Sequence, residues 1–181
     1  MSRYYDIDDI LTDGQPIPVV FQVDVPGLGY LDRGRSAGKD LKEGTRMELP
    51  LWLAEILAVS GVDDQSGFVT VTAPNALSTK AINALRAEAV SVDLRTQSLH
   101  FYNLAERWLA MAGEEDEDKM LETVMSAIKA RAVVVNDYAH NTRTVQVTNS
   151  DFINRLDDTE QKLFRAAHDS AKDVKKWLIQ K

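Results

Sequence analysis

The chain has 181 residues, 44% apolar and 27% charged, with a formal net charge of −7 and no cysteine. That balance excludes wholesale disorder, and the lack of thiols excludes disulfides, thiolate zinc centres and cysteine nucleophiles. The negative charge argues against non-specific nucleic-acid binding as the main task, and no apolar run approaches the roughly 18 residues of a membrane helix.

The opening residues, Met1 to Asp6, lack the apolar core of a secretory signal, so an intracellular protein is expected. Tyr4 to Gly14 reads as a short helix: Asp6 caps it, Ile7, Ile10 and Leu11 share a face, and Gly14 ends it. Pro16 and Pro18 forbid helix, and Val19 to Val25 alternates as a strand with Phe21, Val23 and Val25 on one side. Pro26 to Gly29 is a turn, Tyr30-Leu31 starts another strand, and Asp32 to Gly44 is a polar, mobile surface loop. Thr45 to Leu49 is a brief strand. It leads into the segment on which the chain pivots, Pro50 to Gly61. This reads as a helix with Pro50 at its first position and Gly61 as a left-handed stop. Trp52, Leu53, Ile56, Leu57 and Val59 give it a broad apolar face and leave Glu55 to water.

Val62 to Gly67 is a polar linker, and Phe68 to Thr72 alternates as a strand or extended crossing segment before Pro74. The periodicity then turns helical. Ser78 caps a helix reaching Ala89, with Ala81, Ile82 and Leu85 together. A second helix runs from about Thr96 to Ala112, with Leu99, Tyr102, Ala105, Trp108, Leu109 and Ala112 on one face. A third runs from about Glu115 to Tyr138, carrying Leu121, Val124, Ile128, Ala132 and Val135. Ala139 to Ser150 is a loop. Asp157 and Glu160 have capping-box spacing, and the last helix carries a stripe of Leu163, Ala167, Ala171, Val174 and Leu178. Lysines near its end suit the helix dipole.

None of the chemistry-bearing clusters makes a catalytic constellation. Asp6, Asp8 and Asp9 lie in a first helical turn, where the dipole prefers acids, rather than at the end of a buried strand as an aspartyl metal or phosphotransfer site needs. Gly34 to Asp40 has one residue too few between its glycines for a phosphate loop, Asp40 stands where a magnesium-holding Ser or Thr belongs, and no helix follows. Arg33, Arg35 and Lys39 are read as a solvated loop, with contact to a phosphate backbone or an acidic protein as the sharper alternative. The acidic run Glu114 to Asp118 is read as a solvated helix start, with a docking edge for a basic partner as its alternative. His100, His140 and His168 lack companions at ligand spacing, so no metal or triad site is expected. What remains is more amphipathic helix than so short a chain can bury, which favours an interaction module over an enzyme.

The residues also resemble a known family. Tyr4-Tyr5-Asp6-Ile7-Asp8-Asp9-Ile10-Leu11, Val25-Pro26-Gly27-Leu28-Gly29-Tyr30-Leu31 and Leu49-Pro50-Leu51-Trp52-Leu53-Ala54 resemble the Psf-three subunits of the GINS complex in their fungal form. The resemblance continues through Val92-Asp93-Leu94, Phe101-Tyr102, and Leu156 to Phe164 with Trp177. It spans nearly the whole chain, leaving out Arg33 to Asp40 and Ala139 to Ser150.

The resemblance implies an α+β, mainly α fold: a small β-rich domain over 1–60 ending in the pivot helix, a linker over 61–77, and a helical bundle domain over 78–181. It implies a heterotetramer with three sister GINS subunits, one Sld and two Psf. That assembly works with the Mcm hexamer and the Cdc partner as the replicative DNA helicase in the nucleus, with DNA polymerase epsilon engaged through the assembly and DNA met only indirectly. No active site, cofactor or metal is implied. Leu51, Trp52, Ile56 and Leu57 would fasten the two domains or face a sister, Leu99, Tyr102, Trp108 and Leu109 would form the helical core, and Leu163, Ala167, Val174 and Leu178 would pack on a neighbouring helix. The alternative is a stand-alone DNA-binding replication factor contacting DNA through Arg33, Arg35 and Lys39.

Overall fold

Strand β1 (Pro16–Phe21) is the centre of the first of two units into which the chain divides, Met1–Pro74 and Asn75–Lys181. The computed structural model describes residues 5–31, 39–63, 66–111, 114–140 and 150–179. In β1 the alternation puts Ile17, Val19 and Phe21 inward, all essentially buried. It pairs antiparallel with β2 (Arg46–Pro50) on one side and β5 (Val69–Val71) on the other. A central strand rarely tolerates proline, because each proline removes a ladder donor. Here β5 pairs only with Val19 to Phe21. The Pro18 carbonyl accepts the N–H of Thr72, just past the end of β5, so the missing Pro18 donor falls where that ladder has already stopped.

The strand therefore begins earlier than the alternation suggests and ends at Phe21. Val23 lies outside it, and Val25 forms an isolated bridge with Leu41, whose side chain is fully buried. Tyr30 and Leu31 belong to a 3₁₀ turn, Gly29–Leu31, rather than to a strand. Most of the expected loop, residues 32–38 with Arg33 and Arg35, lies outside the described residues.

Helix α1 (Ile7–Asp13) is capped by Asp6, whose side chain accepts the N–H of Asp8, and it ends at Gly14. Helix α2 (Leu51–Val59) begins directly after β2, with Pro50 as its extended cap residue. Its stop is Ser60, also extended, and Gly61 opens a strand instead of adopting a left-handed cap. That strand, β3 (Gly61–Asp63), pairs antiparallel with β4 (Ser66–Gly67), so the stretch expected as a linker carries a hairpin and then β5. The division falls after Pro74 because β5 is locked into the first sheet.

In the second unit, α3 (Thr79–Glu88) starts at Ser78, whose Oγ accepts the N–H of Ala81, and buries Ala81, Ile82 and Leu85. The helix expected over Thr96 to Ala112 is two, α4 (Leu94–Gln97) and α5 (Phe101–Leu109). Ser98 is extended between them, and Leu99 is 41% exposed rather than core. Asp93 caps α4 through the N–H and hydroxyl of Thr96. Tyr102, Trp108 and Leu109 are buried as expected, with Phe101, Leu104 and Ala105. Helix α6 (Glu114–His140) is long, followed by the short α7 (Ser150–Asn154) and by α8 (Asp158–Ile179). Helix α6 packs against α3, α5 and α8.

Candidate interaction surfaces

The start of α8 is fixed by a buried polar cluster. Asp157 Oδ1 accepts the N–H of Glu160 at 2.8 Å, and Glu160 Oε2 faces the Asp157 N–H at 3.4 Å, closing the capping box. Glu160 also takes a bidentate pair from Arg131 of α6, Nε to Oε1 at 2.7 Å and Nη2 to Oε2 at 2.9 Å. Tyr102 of α5 donates its hydroxyl to the same Oε1 at 2.8 Å. The remaining Arg131 donors find the carbonyls of Ala89 and Val92 through Nη1 and lie 3.5 Å from that of Arg155 through Nη2. The guanidinium lies over the ring of Phe152 in α7. Backbone seams extend the cluster: Asp158 donates to the Leu99 carbonyl freed by the α4–α5 break, and Leu94 donates to Arg155.

Burial dominates the electrostatics. It raises the Asp157 carboxyl to about 6, with the Glu160 charge adding to the rise and backbone donors from Glu160 and Tyr102 opposing it. Burial likewise pushes the Tyr102 hydroxyl up, reinforced by the Glu160 charge. For Arg131, burial pulls downward but the hydrogen bonds and charge of Glu160 outweigh it, so the guanidinium stays protonated and held above its ordinary value. The cluster is satisfied and closed, and its role is to join α5, α6, α7 and α8 in one register.

The chain pattern did not single out Arg131. The buried face of α6 is Thr123, Val124, Ala127, Arg131, Val135 and Ala139; of the expected stripe Val124 and Val135 are buried, Ile128 and Ala132 half-buried, and Leu121 43% exposed. A single cation at core spacing, four residues from both Ala127 and Val135, is the available signal. Among the expected interface residues, Leu51 is fully buried, as is Ala54 on the same helix. Leu57 is half-buried, while Trp52 and Ile56 are about half exposed and Val59 more so. On α8, Leu163, Val174 and Leu178 are each more than half exposed, and Ala167 is half-buried. From Lys172 to Ile179 every residue is exposed, so Val174, Trp177 and Leu178 form an outward apolar stripe flanked by Lys172, Lys175 and Lys176.

The other polar features have local duties. Asp6 caps α1, and Asp8 and Asp9 lie in its first turn. Lys39 is exposed. The acidic run opens α6, where Asp118 is exposed and the side chains of residues 114–117 lie outside the described ones. His140 Nδ1 meets the Asn136 carbonyl, and His168 Nδ1 meets that of Ala139 while its ring stacks on Phe164. His100 is buried.

Two family models match, in the same order as the two units. Residues 5–59 match the PSF3 N-terminal domain, and residues 76–179 match the GINS complex protein helical bundle domain. Over 98% of its length the chain is 47% identical to the DNA replication complex GINS protein PSF3 of Phaeosphaeria nodorum, covering 97% of that protein. The protein of the same name from Aspergillus fumigatus is 44% identical over 96% of the chain and 95% of its own length. That from Saccharomyces cerevisiae is 34% identical, with 98% of this chain and 99% of the relative covered.

Proposed function

Because the chain belongs to the PSF3 family of GINS proteins, we propose that it acts as a non-enzymatic subunit of a heterotetramer with three sister subunits, one Sld and two Psf. In this reading the tetramer is a scaffold in the Mcm-containing replicative helicase, with the Cdc partner, in the nucleus. It serves initiation and elongation of DNA replication, reaches DNA polymerase epsilon through the assembly, and meets DNA only indirectly.

Similarity to relatives named as GINS proteins across both units, end to end, carries this reading. The helix surfaces agree with it. A surface stripe of large apolar side chains loses hydrophobic free energy in water and regains it when a partner covers it. Val174, Trp177 and Leu178 on α8 make such a stripe, and Trp52 and Ile56 on α2 make a second. The sister interfaces are assigned to these two faces, with Leu163 and Ala167 continuing the α8 face.

The test is the native mass of the chain expressed alone and with the three sisters. A one-to-one-to-one-to-one tetramer is expected. A soluble monomer that no sister accompanies would reject the reading and favour a stand-alone DNA-binding factor, whose affinity would fall steeply with salt.

A further inference from the structure

Strand β2 is an open edge. The sheet order is β2–β1–β5, so β2 has a paired strand on one side only. The Leu51 N–H donates to the Gln15 carbonyl and the Phe21 N–H to the Thr45 carbonyl, which marks hydrogen-bonded pairs at the two ends of the β1–β2 register. Along an antiparallel ladder such pairs alternate with non-bonded ones. Met47 and Leu49 therefore bond inward to Val19 and Ile17, and the N–H and C=O groups of Arg46 and Glu48 point away from the sheet. Among the described residues no backbone group outside the sheet meets them. A groove of about 560 Å³ follows this edge, lined by every residue from Arg46 to Pro50. Successive residues of a strand face opposite sides, so a groove that touches all of them runs along the edge itself. Gly14 and Leu31 add walls to it.

Backbone chemistry and charge together identify the occupant. A row of outward N–H and C=O groups is matched, at its own spacing, by another extended backbone. Arg46 and Glu48 are exposed, and among the described residues their side chains make no ion pair or hydrogen bond. Directly opposed residues of paired strands share a face, where opposite charges attract and like charges repel. An incoming strand is therefore selected by an acid opposite Arg46 and a base opposite Glu48. The residue between these two falls beside Met47, on the face where β1 buries Ile17 and Val19, so an apolar side chain suits it. We propose that the outer edge of β2 is a docking site for an extended segment of a partner protein. The segment adds antiparallel, the stabler pairing, and its sequence alternates apolar, basic, apolar, acidic, apolar. Two copies of β2 would also match in charge, Arg46 against Glu48, but a groove walled by Gly14 and Leu31 suits a lone strand better than a folded copy. No β2 residue is among those assigned to the sister interfaces, so the inference goes beyond the scaffold reading and does not rest on it.

The test uses the full chain, alone and within the four-subunit assembly, and three fluorescent peptides. The first is Thr-Val-Lys-Val-Glu-Val-Thr, N-methylated at its valines, whose N–H groups face away from β2, so that it cannot pair with itself. The second exchanges lysine and glutamate, and the third carries the methyl groups on the lysine and glutamate nitrogens that face β2. Anisotropy is expected to show saturable binding of the first peptide, about fivefold or more tighter than the second and about tenfold or more tighter than the third. The double variant Arg46→Glu with Glu48→Arg keeps both charges and should reverse the preference between the first two peptides, with thermal unfolding unchanged. Equal binding of the first two, a preference that survives the charge exchange, or indifference to the position of the methyl groups overturns the proposal. Binding by the chain alone but not by the assembly gives the edge to a sister subunit and overturns it as well. So does a native mass that doubles without peptide and no longer does so in Arg46→Glu, which gives the edge to a second copy. An assembly that forms normally yet takes no peptide overturns the proposal and spares the scaffold reading. A chain that takes the peptides with the expected preferences but joins no sister upholds the proposal and rejects the scaffold reading.

Discussion

Arg131 and Glu160 form a buried bidentate pair, Nε to Oε1 at 2.7 Å and Nη2 to Oε2 at 2.9 Å, in which Glu160 is at the same time the N3 residue of the α8 capping box, three after Asp157. One carboxylate thus closes a helix start, neutralises a cation on a facing helix and accepts from Tyr102. Removing Arg131 leaves a buried carboxylate without its counter-charge, and removing Glu160 strands a guanidinium.

Arg131→Met is accordingly expected to destabilise the chain by about 3–5 kcal/mol, the usual cost of breaking a buried pair from one side. Adding Glu160→Leu should return part of that loss, because no buried charge then remains, although the cap is gone. Urea unfolding of the two single variants and the double variant gives the coupling directly. A single-variant loss below 1 kcal/mol would show that the pair is hydrated rather than buried.

Asp157 makes stability depend on pH in a defined direction. Its carboxyl titrates near 3.8 in the unfolded chain and at about 6 in the folded one, chiefly because of burial. Below pH 4 both states hold the proton and the contribution is fully present. As pH rises toward 6 the unfolded chain releases its proton first, so stability falls, by up to about 3 kcal/mol at 1.36 kcal/mol per unit. Above that window the contribution is lost. Asp157→Asn keeps a capping oxygen but cannot titrate, so its stability curve between pH 4 and 7 should be flatter than that of the parent. Parallel curves in urea unfolding at four pH values would refute the shift.

The amphipathic helices were legible because their periodicity is local. Ser78 and Asp157 announced two helix starts, and both caps form. The early start of β1 at Pro16 is not legible locally, because a proline is rare in a central strand and only the short partner β5 makes it tolerable here. The break between α4 and α5 was illegible because it is stabilised from far away, by the Asp158 N–H on the Leu99 carbonyl. Arg131 is illegible for the same reason: its hydrogen-bond partners are 24 to 42 residues distant in sequence, and nothing local marks a cation as buried. Spacing gave the apolar faces of α1 and α8, but not their direction. Ile7, Ile10, Leu163 and Val174 are each more than half exposed, a direction that the spacing alone does not set.

Gly67 is required by proximity rather than by backbone conformation. A Cβ there would collide with the backbone of Ala58, with the carbonyl carbon only 2.7 Å away. The Phe68 N–H meets the carbonyls of Leu57 and Ser60, so β4 lies directly against the end of α2. Gly67→Ala should therefore cost about 1–3 kcal/mol, as overpacking against rigid atoms does. Hydrogen exchange should report the loss on α2 and β5 while the α5 and α6 amides keep their protection. Unchanged protection on α2 would mean that the hairpin moves away freely.

The end of α8 provides the sharpest separation of folding from assembly. Val174, Trp177 and Leu178 are each 55–59% exposed, and every residue from Lys172 to Ile179 is exposed. Replacing all three by serine removes little buried surface from the isolated chain, so its unfolding midpoint in urea should move by less than the equivalent of about 1 kcal/mol. In an assembled tetramer the same side chains would be covered, each contributing about 1.5–3 kcal/mol on full burial. Affinity for the sister subunits should then fall at least a hundredfold, about 3 kcal/mol. Lys175→Glu with Lys176→Glu should add a salt-dependent loss if the facing surface is acidic. A triple-serine variant that folds and assembles with undiminished affinity would remove α8 from the interface and leave α2 to carry it.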